Sequence, residues 1–136
     1  MIRFLLMINL LTNYSHLPNS GCSFPTQIDT ATILTQKFFN LKEIRDQQKH
    51  LQKIVNANAK ISIYISSKPS KNDPYFILQV GYINSVHFEV YDNYRIDTKY
   101  IYRSNIVPFI EIMNTEGNFV SLLKWRKAAE YGQHHK

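Results

Sequence analysis

The sequence predicts an α+β fold, with an N-terminal helix packed on a curved antiparallel meander of about four strands and a short C-terminal helix. Two observations carry this reading. Apolar residues in the stretch 30–57 recur at helical spacing, and from residue 61 onward the period drops to two, broken by clusters of turn-forming residues. A third observation bounds it: 136 residues, 44% hydrophobic and 19% charged, without an internal repeat, suit one compact domain. We place that domain at residues 24–136 and read residues 1–23 as a leader.

The leader begins with a positive charge at Arg3 and an apolar core from Phe4 to Leu11, followed by a polar stretch up to Gly21. A charged start and a short apolar core are the pattern of an export signal. Ser20-Gly21-Cys22 resembles the end of a bacterial lipoprotein signal, which implies lipidation at Cys22 and anchoring to a membrane through the N-terminus. A first helix that is not cleaved and a start codon assigned too early are the alternatives. The location expected is therefore exported: periplasmic, secreted or membrane-anchored. Cys22 is the one cysteine, which excludes an internal disulfide and a cysteine-based zinc site. No apolar run approaches the roughly 20 residues that a spanning helix needs.

In the helical stretch, Leu34, Phe38, Leu41, Ile44, Leu51 and Val55 fall on one stripe, and Lys42, Arg45, Asp46, Lys49 and Lys53 fall largely off it. Asn40 with Glu43 makes a capping pair, and Phe39 with Ile44 a hydrophobic staple. The stretch is thus one bent helix, or a short helix before a stronger one over 41–56. Gln47-Gln48-Lys49-His50 reads as a solvated helix face.

Strands follow. Residues 61–66 alternate isoleucine with Ser and Tyr, as a half-buried strand requires. Residues 67–74 are loop chemistry. A second strand over 75–83 places Phe76, Leu78, Val80 and Tyr82 on one face. Asn84-Ser85 is a tight connection to a third strand over 86–96, with Val86, Phe88 and Val90 inward. A fourth strand over 100–113 is interrupted near Ser104-Asn105 and at Pro108, since proline removes a ladder donor. Ser121 caps a last short helix over 122–131, and the tail with His134 and His135 frays.

This layout resembles the cystatin-like and nuclear-transport-factor-2-like folds of small secreted bacterial domains. The close of the chain, Glu116-Gly117-Asn118-Phe119-Val120-Ser121 followed by Leu122-Leu123-Lys124-Trp125-Arg126-Lys127, is similar to a recurrent ending of such domains: a last strand, a turn, and a short Trp-Arg-bearing helix. The resemblance covers residues 29–131. It implies a cone-shaped sheet and leaves function open, because such folds host enzymes and binding modules alike. The inhibitory cystatins carry a Gln-x-Val-x-Gly loop, and Gln79-Val80-Gly81 lacks that spacing, so protease inhibition is not implied.

Strict alternation puts His87, Glu89, Tyr91, Asn93 and Arg95 on one face of the third strand. His87 and Glu89 are the candidates for proton transfer, the glutamate orienting the imidazole. The competing reading of the same five residues is the solvated face of an antiparallel sheet. No cofactor is expected. The five histidines show no ligand spacing on one element, so no metal site is expected either. Net charge is +6, but the basic residues form no block, so nucleic acid is not the expected partner.

Tyr91, Tyr94, Arg95, Tyr102 and Arg103 are the candidate binding residues, because Tyr and Arg anchor interface hot spots. The function expected is a non-catalytic, exported or membrane-tethered module that binds an unknown protein partner. The alternative is a small-molecule-binding protein or enzyme of the nuclear-transport-factor-2-like kind, with a pocket between sheet and helix.

Overall fold

The computed structural model describes residues 29–133. Its elements run α1 (Thr30–Phe39), α2 (Lys42–Ile54), β1 (Ile61–Ser67), β2 (Tyr75–Ile83), β3 (Phe88–Asp97), β4 (Ile110–Met113), β5 (Phe119–Ser121) and α3 (Leu122–Gln133). The fold is α+β, with two helices before the sheet, the divided form of the two that the helical stretch allowed, and five strands where about four were expected. Each strand pairs antiparallel with its neighbours in sequence, in the order β1-β2-β3-β4-β5.

The helical stretch divides at Leu41, whose extended backbone (φ −65°, ψ 142°) separates α1 from α2. Leu41 stands at the N-cap position of α2, and no side chain caps that end. The capping pair expected of Asn40 and Glu43 does not form. Asn40 Nδ2 donates back to the Gln36 carbonyl, and Glu43 is taken by Arg126. Leu34, Phe38, Leu41, Ile44 and Leu51 are buried as the stripe requires, whereas Val55, just past the helix end, is exposed.

Strand β2 matches its expected bounds, and Phe76, Leu78 and Val80 are buried on its core face, with Tyr82 packed beside them. The connection to β3 is longer than the two residues expected. Asn84 Oδ1 accepts from the backbone N–H groups of Val86 and His87, and Ile83 pairs with Phe88. The expected fourth strand shrinks to β4. Residues 98–109 instead hold two 3-10 turns, Thr98–Tyr100 and Val107–Phe109, the second built around Pro108, which cannot donate to a ladder.

The largest departure lies in β3. Val80 pairs with Asp92 but Gly81 pairs with Val90, so β3 carries one extra residue at Tyr91. A bulge of this kind reverses the parity of every residue beyond it. Phe88 and Val90 therefore share the outer face with Asn93 and Arg95, opposite Ile83, Gly81, Gln79 and Ile77. On the inner face, Glu89 lies opposite Tyr82, and Asp92, Tyr94 and Ile96 follow opposite Val80, Leu78 and Phe76. The expectation that Val86, Phe88 and Val90 point inward is overturned. Val86 is 85% exposed in the connection, Val90 is exposed, and the Phe88 ring meets Tyr64 edge-on at 4.7 Å on the outer face. The core lies on the other side, where α1, α2 and Leu122 of α3 cover the inner face of the sheet.

Candidate functional site

Helix α2 presents Glu43, Gln47, Leu51 and Ile54 on successive turns, a spacing that stacks them along one face. Helix α3 presents Trp125, Arg126, Ala129 and Glu130. These two rows wall an open groove of about 800 Å³, into which Tyr91 projects from the bulge of β3; Lys42, Asp46 and His50 complete the lining. The bulge makes the floor, because without the extra residue Tyr91 would lie on the outer face with Asn93 and Arg95.

One polar clasp joins the walls. Arg126 Nε donates to Glu43 Oε1 at 2.6 Å, and Nη2 donates to Oε2 at 2.9 Å, a bidentate pair. Burial pushes the Glu43 carboxyl up, but the hydrogen bonds from Arg126 and from its own backbone N–H, with the attraction of the guanidinium, hold it below the usual carboxylate range. The same pairing raises Arg126.

Under the groove lies a second polar group. Gln47 Nε2 donates to Asp92 Oδ2, while Gln47 Oε1 is buried without a partner. Burial raises the Asp92 carboxyl, the hydrogen bond from Gln47 and the nearness of the Tyr94 hydroxyl oppose the shift, and the charge of Glu43 adds to it. Tyr94 is fully buried against Phe38, ring to ring at 5.6 Å, and its hydroxyl closes no hydrogen bond of good geometry. Burial, with Asp92 beside it, pushes that phenol far above its ordinary value.

The residues singled out from the sequence are not gathered in one place. His87 and Glu89 lie together at the β2–β3 connection, with His87 Nε2 3.5 Å from Glu89 Oε1. The Glu89 carboxylate also accepts from Asn84 Nδ2, and both side chains are exposed to solvent. Tyr91 lines the groove. Tyr94 belongs to the core and has no surface to offer a partner. Arg95 is on the outer face, 2.5 Å from Glu111 Oε2 and flanked by the rings of Tyr75 and Phe119. Tyr102 is exposed, its hydroxyl 2.8 Å from that of Thr30, and the Arg103 carbonyl accepts from Lys37 Nζ near the end of α1. Cys22 and the export leader lie outside the described residues. Among the described residues, no group of three or more His, Cys, Asp and Glu side chains is placed to hold a metal ion, and no helix is long and apolar enough to cross a membrane.

Sequence reasoning missed Gln47 and Glu43, the partner of Arg126, as groove residues, along with Asp92 beneath them. The signal for α2 was present: Glu43, Gln47, Leu51 and Ile54 stand three or four residues apart. The 47–50 segment is not a uniformly solvated face either, since Gln48 bridges the Ala59 carbonyl and the Ile61 N–H at the start of β1. No family model, curated protein or solved structure matches the chain.

Proposed function

We propose that the protein is a non-catalytic, exported binding module, and that the groove between α2 and α3 receives an apolar segment of a partner protein. The observation that carries this reading is the groove's lining. Trp125, Tyr91 and Ile54 are 36%, 41% and 62% exposed in one open cleft between two helices, an arrangement that suits a chain segment laid lengthwise. The charged groups there favour binding over proton transfer. Glu43 and Arg126 are committed to each other, and Lys42 to Asp46 at 3.0 Å on the rim. The export part of the proposal rests on the charged and apolar start of the sequence.

Trp125 is the sole tryptophan of the chain, so its emission reports directly on the groove. The test is a library of displayed linear peptides selected on the full chain and counter-selected on Ala129→Arg, which fills the groove from an exposed position. We expect selected peptides to share large apolar or aromatic anchors, to shift Trp125 emission to the blue, and to bind Ala129→Arg at least about tenfold more weakly. A small apolar dye that enters the groove when no peptide is enriched would favour the small-molecule alternative. Peptides that bind both proteins equally would remove the groove from the proposal.

A further inference from the structure

We infer that the outward face of α2 is a docking surface for an anionic lipid bilayer, a second membrane contact beside the one expected of the leader. This inference is independent of the groove and of lipidation at Cys22. Lys42, Arg45, Lys49 and Lys53 follow one another at spacings of three, four and four residues, which aligns them on one side of the helix. All four are exposed, on the side away from the buried Ile44 and Leu51. The stripe is roughly 16 Å long at the helical rise of about 1.5 Å per residue.

Little opposes this charge. Asp46 is the one acidic side chain along the stripe, and it is taken by Lys42 at 3.0 Å. That hydrogen bond and, behind it, the charges of Lys42, Lys49 and Arg45 hold the Asp46 carboxyl below its ordinary value. Among the described residues, no carboxylate pairs with Arg45, Lys49 or Lys53. Glu43, the other acid of the helix, is turned to Arg126 across the groove. Lys60 adds a charge alongside. It is exposed, and Gln48 bonds the residues on either side of it, through the Ala59 carbonyl and the Ile61 N–H.

Two features favour lipid over nucleic acid, the other polyanion that attracts such a stripe. Phe39 is 42% exposed, and a hollow of about 230 Å³ lined by Phe39, Ile44 and Ile61 opens between Arg45 and Lys49. A single apolar ring among cations suits the boundary of headgroups and acyl chains, whereas successive bases need successive stacking platforms. The leader expected at the N-terminus also brings the domain to a membrane, since the chain from Cys22 to Thr30 reaches about 29 Å at most. Ile44 and Leu51 belong to the core, so α2 lies on the lipid surface rather than in it, and the contact is chiefly electrostatic. The groove residues Glu43, Gln47 and Ile54 stand on the next side of the helix, and a docked α2 leaves the groove open.

Flotation of the full chain with vesicles tests the inference. Vesicles of equimolar phosphatidylglycerol and phosphatidylcholine are compared with phosphatidylcholine alone, in about 0.1 M and about 0.5 M sodium chloride. We expect binding about tenfold tighter to the anionic vesicles at the lower salt, and most of that preference lost at the higher, because exposed charges are screened. Arg45→Gln, Lys49→Gln and Lys53→Gln should each weaken anionic binding by about threefold, and together by about tenfold or more. Their circular dichroism should match the parent, since all three sites are exposed and glutamine suits a helix. Lys68→Gln, Lys71→Gln and Lys127→Gln combined remove the same charge from the β1–β2 loop and α3, and should keep most of the preference. The leader is identical in every variant, so its own affinity for lipid cancels. Equal binding to both kinds of vesicle would overturn the inference. So would α2 variants that bind as the parent does, or a loop and α3 variant that loses as much as they do. An oligonucleotide held by the same three cations more tightly than the anionic vesicles, at equal salt, would also overturn it and assign the stripe to nucleic acid.

Discussion

A methyl group at position 81 would stand 2.0 Å from the Glu89 carbonyl oxygen and 2.8 Å from the Phe88 ring. Neither neighbour can yield easily, since one is backbone of the adjacent strand and the other is packed on Tyr64. Gly81 is also the residue at which the β2–β3 register slips, so the missing side chain is what lets the bulge close against β2. Gly81→Ala should therefore cost about 1–3 kcal/mol, read as a lower urea midpoint with an unchanged slope. A wild-type midpoint would mean that the strands part at no cost and that the bulge does not depend on glycine. Tyr94 makes a different point at the same scale. Its ring is core and its hydroxyl is buried beside Asp92, so a residue type favoured at interfaces is here a packing residue.

Among elements, the bulge and the α2–α3 clasp decide where the site is. Helix α3 is anchored at its start by the buried Leu122, while Leu123 and Trp125 remain substantially exposed, so the Glu43–Arg126 pair is what ties it across the groove to α2. Arg126→Met keeps the length of the side chain and removes the clasp. We expect faster hydrogen exchange along α3 and a red shift of Trp125 emission, with β2 and β3 exchanging as before. Unchanged α3 exchange would show that Leu122 alone holds the helix. The helices and β2 were legible because each follows a single period over its whole length. Residues 61–66 alternate isoleucine with Ser and Tyr, Phe76, Leu78, Val80 and Tyr82 occupy every second position of β2, and Leu34, Phe38, Leu41 and Ile44 keep helical spacing. Strand β3 was misread because a bulge changes parity in mid-strand, and the lone cue was a glycine on the neighbouring strand, where it pairs with Val90. Half of the groove was hidden for another reason. Glu43 and Arg126 are 83 residues apart in sequence, and no local pattern announces a contact of that range.

For the molecule as a whole, two carboxylates on either side of the same polar layer set opposing demands on pH. Glu43 is held below its ordinary value of 4.5 in the folded chain, so its contribution is fully present above that value and is lost as pH falls through the folded one. Asp46 and Asp97 act in the same direction, the first through its hydrogen bond from Lys42 and the second through the backbone N–H of Lys99. Asp92 does the reverse. Its folded value is raised above 3.8, so the unfolded chain releases the proton first, and stability declines as pH climbs from 3.8 through the folded value. Substituting Asp92 with asparagine removes a carboxylate that is costly to bury, keeps an acceptor for Gln47 Nε2, and offers a donor to the orphaned Gln47 Oε1. We expect Asp92→Asn to raise the urea midpoint at neutral pH while leaving the acid limb in place. Glu43→Gln should flatten part of the acid limb and lower the neutral midpoint. Urea midpoints measured from about pH 3 to pH 7 separate the two, since each variant changes a different arm of the profile. If Asp92→Asn were less stable than the parent at neutral pH, the buried carboxylate would be a net asset, and Gln47 and Tyr94 would have to be stabilising its charged form.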